Sequence, residues 1–376
     1  MFNLEKIVYD ILNLLEENGY EAYLVGGYVR DYLLRKKTKD IDICTNARPK
    51  DMMNIFNNEK ISLLEYGNVL LALNDYEFEI TTFRKDLDYF NNRKPKEIIY
   101  VDSLEEDVLR RDFTINSICM NKDNKIIDFL NGRRDLSKRV IKTIGDADLR
   151  FKEDALRMMR AIRFAVVLNF KLDDSVKNAI KKNKELLRNL SYERKKEELN
   201  KIFSSGNKKY AVKLIKELEL EDVLEIKNLQ FILFTNHLLG IWSMITDVDY
   251  SFTKGEKDLI KDIKYLYNID NIDEYTLYKY GMYSVGIVCD LKKMNKKKMF
   301  NKYEKLSIYD RKDIDIDSDI ICNVLNKKPD RFLKDLYKDL ELKILFGELE
   351  NKKEEIIKYL KEKYAIIDDQ GWYYEK

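Results

Sequence analysis

Gly26-Gly27-Tyr28-Val29-Arg30-Asp31 and, a few residues on, Asp40-Ile41-Asp42-Ile43-Cys44 form the stretch on which the reading of this chain turns. Residues 22–26 read as a strand, 28–35 as a helix and 40–45 as a second strand. A strand that ends in two glycines can bring bare backbone N–H groups against a phosphate, because glycine has no Cβ to hold the ligand away. Gly27 and Arg30 are therefore candidate nucleotide-binding residues. Asp40 and Asp42 lie two apart on a strand and so point to one face. Two carboxylates side by side repel unless a divalent cation sits between them. A phosphate cradle beside a two-carboxylate metal site points to nucleotidyl transfer with Mg2+, and makes Asp40 and Asp42 the catalytic and metal-binding candidates.

The rest of the chain narrows the class. Its 376 residues exceed one ordinary core and predict two to four domains. Hydrophobic residues make up 45%, enough for a globular protein, and no apolar run approaches a membrane span. Charged residues make up 36%, yet the net charge is only +2, so any basic footprint for a nucleic acid must be local. Candidates are Lys181-Lys182-Asn183-Lys184, Arg194-Lys195-Lys196, Lys208-Lys209 and the densest run, Lys292 to Lys298. Cys44, Cys119, Cys289 and Cys322 are scattered without a Cys-x-x-Cys spacing and read as reduced core thiols of a cytoplasmic protein. The one histidine, His237, reads as a structural residue and excludes a histidine-ligated metal centre.

Helix and strand alternate over the first third. Helices are predicted at 4–18 and 50–57, and strands near 61–66, 68–73 and 77–84. In the last of these Glu77 and Glu79 alternate with Phe78 and Ile80, which reads plainly as a solvent-facing strand edge. Residues 85–109 are polar and read as a disordered or working loop. Arg110-Arg111-Asp112 precedes an apparent helix start, with Asp112 or Thr114 as N-cap. Residues 153–166 predict the sharpest helix, its apolar residues on one arc and Asp154, Arg157, Arg160 and Arg163 on a polar half-cylinder. Glycine and proline become sparse after about residue 135, and helical periodicity dominates to the end.

In this order, the Gly-Gly and Asp-x-Asp segments, Arg110-Arg111-Asp112-Phe113-Thr114-Ile115-Asn116 and Glu153-Asp154-Ala155-Leu156-Arg157 resemble the signatures of the class II tRNA nucleotidyltransferase and poly(A) polymerase family. The resemblance spans roughly residues 20 to 205. It implies an α+β protein: a polymerase-β-like head with a mixed sheet and helices, followed by an all-α neck, body and tail. The corresponding boundaries are 1–138, 139–205, 206–270 and 271–376. It implies a third carboxylate, for which Glu79 is the candidate. It implies a flexible loop within 85–109, and Arg111 as a clamp on triphosphate oxygens. Asp112 and Asn116 would hold the ribose hydroxyls, and Asp154 and Arg157 would read the base. Cytosine and adenine each offer an amino donor beside an unprotonated ring nitrogen, which an Asp and an Arg match, whereas uracil and guanine do not. Arg160 and Arg163 would hold the base stack or phosphates.

The activity implied is addition of the 3′-terminal CCA to tRNA from CTP and ATP, with two Mg2+ ions. A-only or CC-only addition, poly(A) polymerisation and non-catalytic RNA binding are the alternatives. The full-length stretch between Arg84 and Arg110 argues against CC-only addition, and the acidic, aromatic C-terminus argues against a poly(A) polymerase. Tyr66-Gly67 stands where relatives often carry His-Gly. The oligomeric state stays open.

Overall fold

The computed structural model describes residues 4–38, 41–57, 59–73, 76–90 and 94–364. Asp40 lies outside the described residues. The chain divides into two compact units, Met1–Ile232 with Val248–Ser251, and Leu233–Asp247 with Phe252–Lys376.

The first unit opens with α1 (Leu4–Glu17), whose Ile7, Val8, Ile11, Leu12 and Leu15 form one buried stripe at helical spacing. β1 (Ala22–Val25), α2 (Gly27–Leu33), β2 (Ile41–Thr45) and α3 (Pro49–Ile55) follow. Next come β3 (Lys60–Leu63), β4 (Asn68–Leu73) and β5 (Tyr76–Thr82). With β8 (Cys119–Met120) and β9 (Ile126–Ile127) they build a mixed sheet ordered β3-β4-β5-β2-β1-β8-β9. β2 pairs parallel with β5 and antiparallel with β1. Ile41, Ile43, Phe78 and Ile80 are buried on one face of that central pair. The period of two therefore turns Asp42 and Glu79 to the other face.

The polar stretch from 85 is not a loop. β6 (Arg84–Phe90) and β7 (Lys94–Tyr100) form an antiparallel hairpin in register Arg84↔Tyr100 through Phe90↔Lys94, and α4 (Leu104–Leu109) follows. Main-chain ladder bonds satisfy the backbone whatever the side-chain polarity, so composition hid the hairpin. Residues 91–93 lie outside the described residues. Arg84 fixes the hairpin's start: its guanidinium donates to Asn68 Oδ1 at 3.1 Å, to Asp86 Oδ1 at 3.1 Å and to the Tyr66 carbonyl. Tyr66 adopts a left-handed conformation at φ 58°. A Cβ on the next residue, Gly67, would stand 2.6 Å from the Tyr100 ring.

Two further expectations change. No helix starts at Asp112 or Thr114; a single 3-10 turn, Thr114–Asn116, follows an extended Phe113. The expected helix over 153–166 is two helices, α6 (Ala147–Glu153) and α7 (Leu156–Leu168), which follow α5 (Gly132–Lys138) and β10 (Val140–Ile141). Asp154 is extended at φ −140°, ψ 106°, and its carboxylate accepts from the Leu156 N–H at 3.0 Å. That local side-chain bond, from the residue before the N-cap Ala155, favours the extended Asp154 at the break, which needs neither glycine nor proline. α7 is also buried nearly all round, Arg157 included, so it is not half solvated. β11 (Lys171–Leu172), α8 (Asp174–Asn183), α9 (Tyr192–Phe203) and α10 (Lys208–Glu217) complete the secondary structure that concerns the site.

The second unit is helical: α11 (Leu238–Ile245), α12 (Lys254–Asn268), α13 (Glu274–Lys292), α14 (Lys296–Tyr303), α15 (Ser318–Val324), α16 (Phe332–Leu345) and α17 (Lys353–Tyr364). His237 caps α11, its Nδ1 accepting from the Gly240 N–H at 3.3 Å. No helix among the described residues is long and apolar enough to cross a membrane.

Asp107, on α4, joins the hairpin to the segment behind it. Its side chain is fully buried and accepts from Arg110 at 2.8 Å, from Arg111 at 2.8 Å and from the Arg84 backbone N–H at 3.2 Å. Burial alone would raise its carboxyl, but the Arg111 and Arg110 charges outweigh burial and hold it below the usual range. Asp107→Asn leaves two guanidiniums without their counter-charge. It should cost about 3–5 kcal/mol of stability, read as a shift in urea unfolding at constant slope.

Candidate nucleotide-binding cleft

One cleft of 630 Å³ in the first unit gathers most of the residues singled out in the sequence. Its floor is the polar face of the sheet. Asp42 and Glu79 stand abreast across the parallel β2–β5 ladder and both line the cleft. Glu79 Oε1 also accepts from Asn68 Nδ2 at 2.5 Å. The chain enters α2 immediately above, and Gly26 takes φ 71°, where a side chain is strained. A Cβ there would stand 2.9 Å from Asp42 Oδ2. Gly26 is thus the position that demands glycine, for the sake of the carboxylate beside it. At Gly27 a Cβ would meet only Arg30 Nη2 at 3.7 Å, an ordinary contact.

The donor chemistry fits a hard divalent cation: oxygen ligands from two adjacent strands, with no sulfur or imidazole among them. Among the described residues no group of three or more His, Cys, Asp or Glu converges on one point. Asp42 and Glu79 are the pair that the described chain offers.

The opposite wall is cationic. Arg30, Arg110, Arg111, Arg157, Arg160 and Arg163 all line the cleft. Each meets a carboxylate. Arg30 donates to both oxygens of Asp31 at 2.8 and 2.9 Å, and its Nη1 donates to Asn116 Oδ1 at 2.9 Å. Asn116 Nδ2 in turn donates to Asp112 Oδ1 at 3.0 Å. Arg160 grips Asp112 Oδ2 through Nε at 2.8 Å and Nη2 at 2.6 Å. Arg163 Nε reaches Glu198 on α9 at 2.6 Å. Arg111, almost buried, is held charged by Asp107 against the cost of its burial.

Arg157 sits in the first turn of α7, where its Nη1 meets Glu153 at 2.5 Å and the Arg150 carbonyl at 3.1 Å. Asp154 does not line the cleft; it occupies the break before α7, and burial raises its carboxyl despite the charge of Arg157. The two residues expected to share a helix face are therefore separated by a helix boundary. Their backbones still touch, Arg157 N–H donating to the Asp154 carbonyl at 3.1 Å.

Sequence reasoning missed several members. Asp86 lines the cleft from the hairpin that was read as loop. Arg110 lines it beside Arg111, a neighbour that the double arginine could have signalled. Arg150 was not visible at all. Its Nη2 donates to the carbonyls of Arg110 and Arg111, both at 2.6 Å, and so fixes the backbone that carries them.

Asp112 carries a testable electrostatic signature. Burial would raise its carboxyl, but the Arg160 charge and bonds from Asn116, Arg160 and the Phe113 N–H hold it at about 2. The unfolded chain titrates near the ordinary value of about 3.9. A depressed folded pKa gives stability that is present above about pH 4 and lost as pH falls toward 2. Asp112→Asn should remove about 2 kcal/mol at pH 7 and much less at pH 2.5, measured by urea unfolding at both pH values.

Known proteins resemble this chain along most of its length. Residues 22–142 match the family described as "Poly A polymerase head domain". Residues 169–228 match the "Probable RNA and SrmB- binding site of polymerase A", and 251–360 match a tRNA nucleotidyltransferase domain 2. The CCA-adding enzyme of Bacillus subtilis (strain 168) is 31% identical over 93% of this chain and 96% of its own length. That of Streptococcus uberis is 34% identical over 91% of this chain and 93% of its own. The crystal structure of the Bacillus stearothermophilus CCA-adding enzyme in complex with CTP superposes with a TM-score of 0.83 at 28% identity, covering 97% of this chain and 98% of that one. The Thermotoga maritima CCA-adding enzyme complexed with tRNA shares the fold, with a TM-score of 0.68 at 18% identity over 94% of both chains. With relatives above 30% identity matched along nearly their whole length, this chain belongs to the family of CCA-adding enzymes.

Proposed function

We propose that this protein adds C, C and A in turn to the 3′ end of tRNA, from CTP and ATP, without a nucleic-acid template. The observation that carries the reading is the cleft itself: two carboxylates abreast on the sheet and six arginines in one lining. Family membership supports the same activity.

In this reading Asp42, with Asp40 and with Glu79 as a third carboxylate, holds Mg2+. The cations, when bound, supply charge neutralisation at the triphosphate and activation of the RNA 3′-hydroxyl. Gly26 and Gly27 let the backbone approach the phosphates. Arg30, Arg111, Arg160 and Arg163 direct guanidinium N–H groups at phosphate oxygens. Asp112 and Asn116, already joined, orient the ribose. Asp154 and Arg157 read the amino group and ring nitrogen shared by cytosine and adenine. Both must turn from their present partners, the Leu156 N–H and Glu153, to do so. The stretch between Arg84 and Arg110 has full length in the sequence, which supports full CCA rather than CC addition. The division into head, neck, body and tail at 138, 205 and 270 belongs to this reading, as does a cytoplasmic location; the four cysteines are free and buried.

The deciding experiment offers tRNA transcripts ending before CCA and after CC, with CTP and ATP, and sequences the products. Addition of all three nucleotides is expected; extension of only the CC-ended substrate would make the protein an A-adding enzyme, and a long A tract a poly(A) polymerase. Asp42→Ala should lower turnover at least about 10³-fold while tRNA binding persists.

This reading puts the tRNA contact on the second unit. Lys182 and Lys184 are engaged with Asp148 and Glu219, and Lys195 is buried, which weakens the 181–196 runs as phosphate sites. Lys297 and Lys298 stand exposed on α14, a helix with no buried residue. Reversing both to glutamate should weaken tRNA binding and lower the slope of log K against log salt by roughly one to two units. An unchanged slope would remove α14 from the interface.

A further inference from the structure

Phe164 lies on α7 in the same cleft, 5% exposed, and no catalytic step needs a phenyl ring there. Three cationic groups surround it. The Arg163 guanidinium carbon is 4.1 Å from the ring centroid, that of Arg30 5.2 Å and that of Arg160 5.3 Å. Phe113 meets the ring edge-on at 5.6 Å, with planes 79° apart. Arg30 comes from α2 in the sheet portion of the unit, whereas Arg160 and Arg163 come from α7 itself. One ring thus touches the cations of two separate elements.

We propose that Phe164 is a positioning residue for triphosphate binding: its ring holds Arg30, Arg160 and Arg163 in place by cation–π attraction without adding negative charge to that of their carboxylate partners. The proposal rests on the nucleotidyl-transfer reading of the cleft. Three like charges need attraction to stay together. A further carboxylate at this position would supply it, but would add to the negative charge of Asp31, Asp112 and Glu198 and repel an incoming phosphate. An aliphatic side chain would fill the volume and attract nothing. An aromatic ring is the side chain that attracts a cation through its quadrupole and carries no net charge. The existing carboxylate partners, Asp31, Asp112 and Glu198, each approach one guanidinium; the ring is common to all three.

Fluorination tests this without changing the fold, because it withdraws the negative face of the ring at nearly constant shape. Phenylalanine bearing one, two, three and five ring fluorines is placed at position 164 of the full chain. Equilibrium Kd values for CTP and ATP with Mg2+ are compared with thermal unfolding midpoints. Kd should rise stepwise with fluorine number, by about tenfold or more across the series, with the midpoint nearly constant. Phe164→Leu should weaken binding at least as much, and Phe164→Tyr should retain most of it. In steady state the loss should fall on KM more than on kcat. A flat Kd across the fluorinated series would overturn the proposal and leave Phe164 a packing residue. Unmodified protein that binds neither CTP nor ATP would instead overturn the functional reading on which it rests.

Discussion

The constraint on which the site depends is the crowding of six guanidiniums into one cleft. Two bare unit charges 4 Å apart repel by about 4 kcal/mol at an effective dielectric constant near 20. Such a group assembles only if every member is anchored. The anchors here come from separate elements: Asp31 from α2, Asp107 from α4, Asp112 from the turn before Thr114, Glu153 from the end of α6 and Glu198 from α9. Two of these pairs, Arg160–Asp112 and Arg163–Glu198, also tie α7 to the segment before Thr114 and to α9. There the electrostatics of the site and the tertiary structure of the first unit are one set of contacts.

The carboxylate side obeys a different rule, that of strand register. Asp42 faces Glu79 because β2 and β5 run parallel with Ile41↔Phe78, Asp42↔Glu79 and Ile43↔Ile80 in step. A slip of one residue would bring an isoleucine or phenylalanine into the cleft and bury a carboxylate. The apolar residues of the two strands thus protect the carboxylate pair, since their burial on the far face locks the register. Gly26 completes the arrangement from above, where only a missing Cβ leaves room for Asp42 Oδ2.

Much of this was legible in residue order. The strand, turn and helix around Gly26, the strand carrying Asp42 and the alternation placing Glu79 opposite Phe78 and Ile80 all emerge from periods of two and 3.6. What stayed hidden has specific causes. The hairpin at 84–100 was masked because polar composition suggests a loop, whereas its ladder is made by main-chain atoms. The break at Asp154 has no glycine or proline to announce it; one carboxylate accepting from the Leu156 N–H favours it. Partner choice was hidden too. The spacing of Asp107 from Arg110 and Arg111 is that of local helical pairs, but nothing in the order of residues says that the same carboxylate takes the Arg84 N–H or that Arg150 fixes the carbonyls of the double arginine, because those contacts depend on how elements from distant parts of the chain meet.

Anchoring and availability are compatible here because of the shape of the guanidinium. Arginine offers five N–H donors in a rigid fork, and a carboxylate uses one or two of them. Arg160 places Nε and Nη2 on Asp112, Arg163 places Nε on Glu198, and Arg111 directs Nε and Nη2 at Asp107. Lysine could not divide its charge in this way: one compact ammonium held by a buried carboxylate would point its charge at the anchor. The cleft lining carries six arginines and the carboxylates Asp31, Asp42, Glu79, Asp86 and Asp112, so before any ligand arrives it is close to neutral. Under the function proposed above, an anion that brings its own divalent cation adds a compensated pair of charges, the phosphates toward the arginines and the cation toward Asp42 and Glu79. A free divalent cation or a metal-free polyphosphate would meet only half of that complementarity. The separation of the two charge types within one cleft thus favours a metal–nucleotide complex over either component alone.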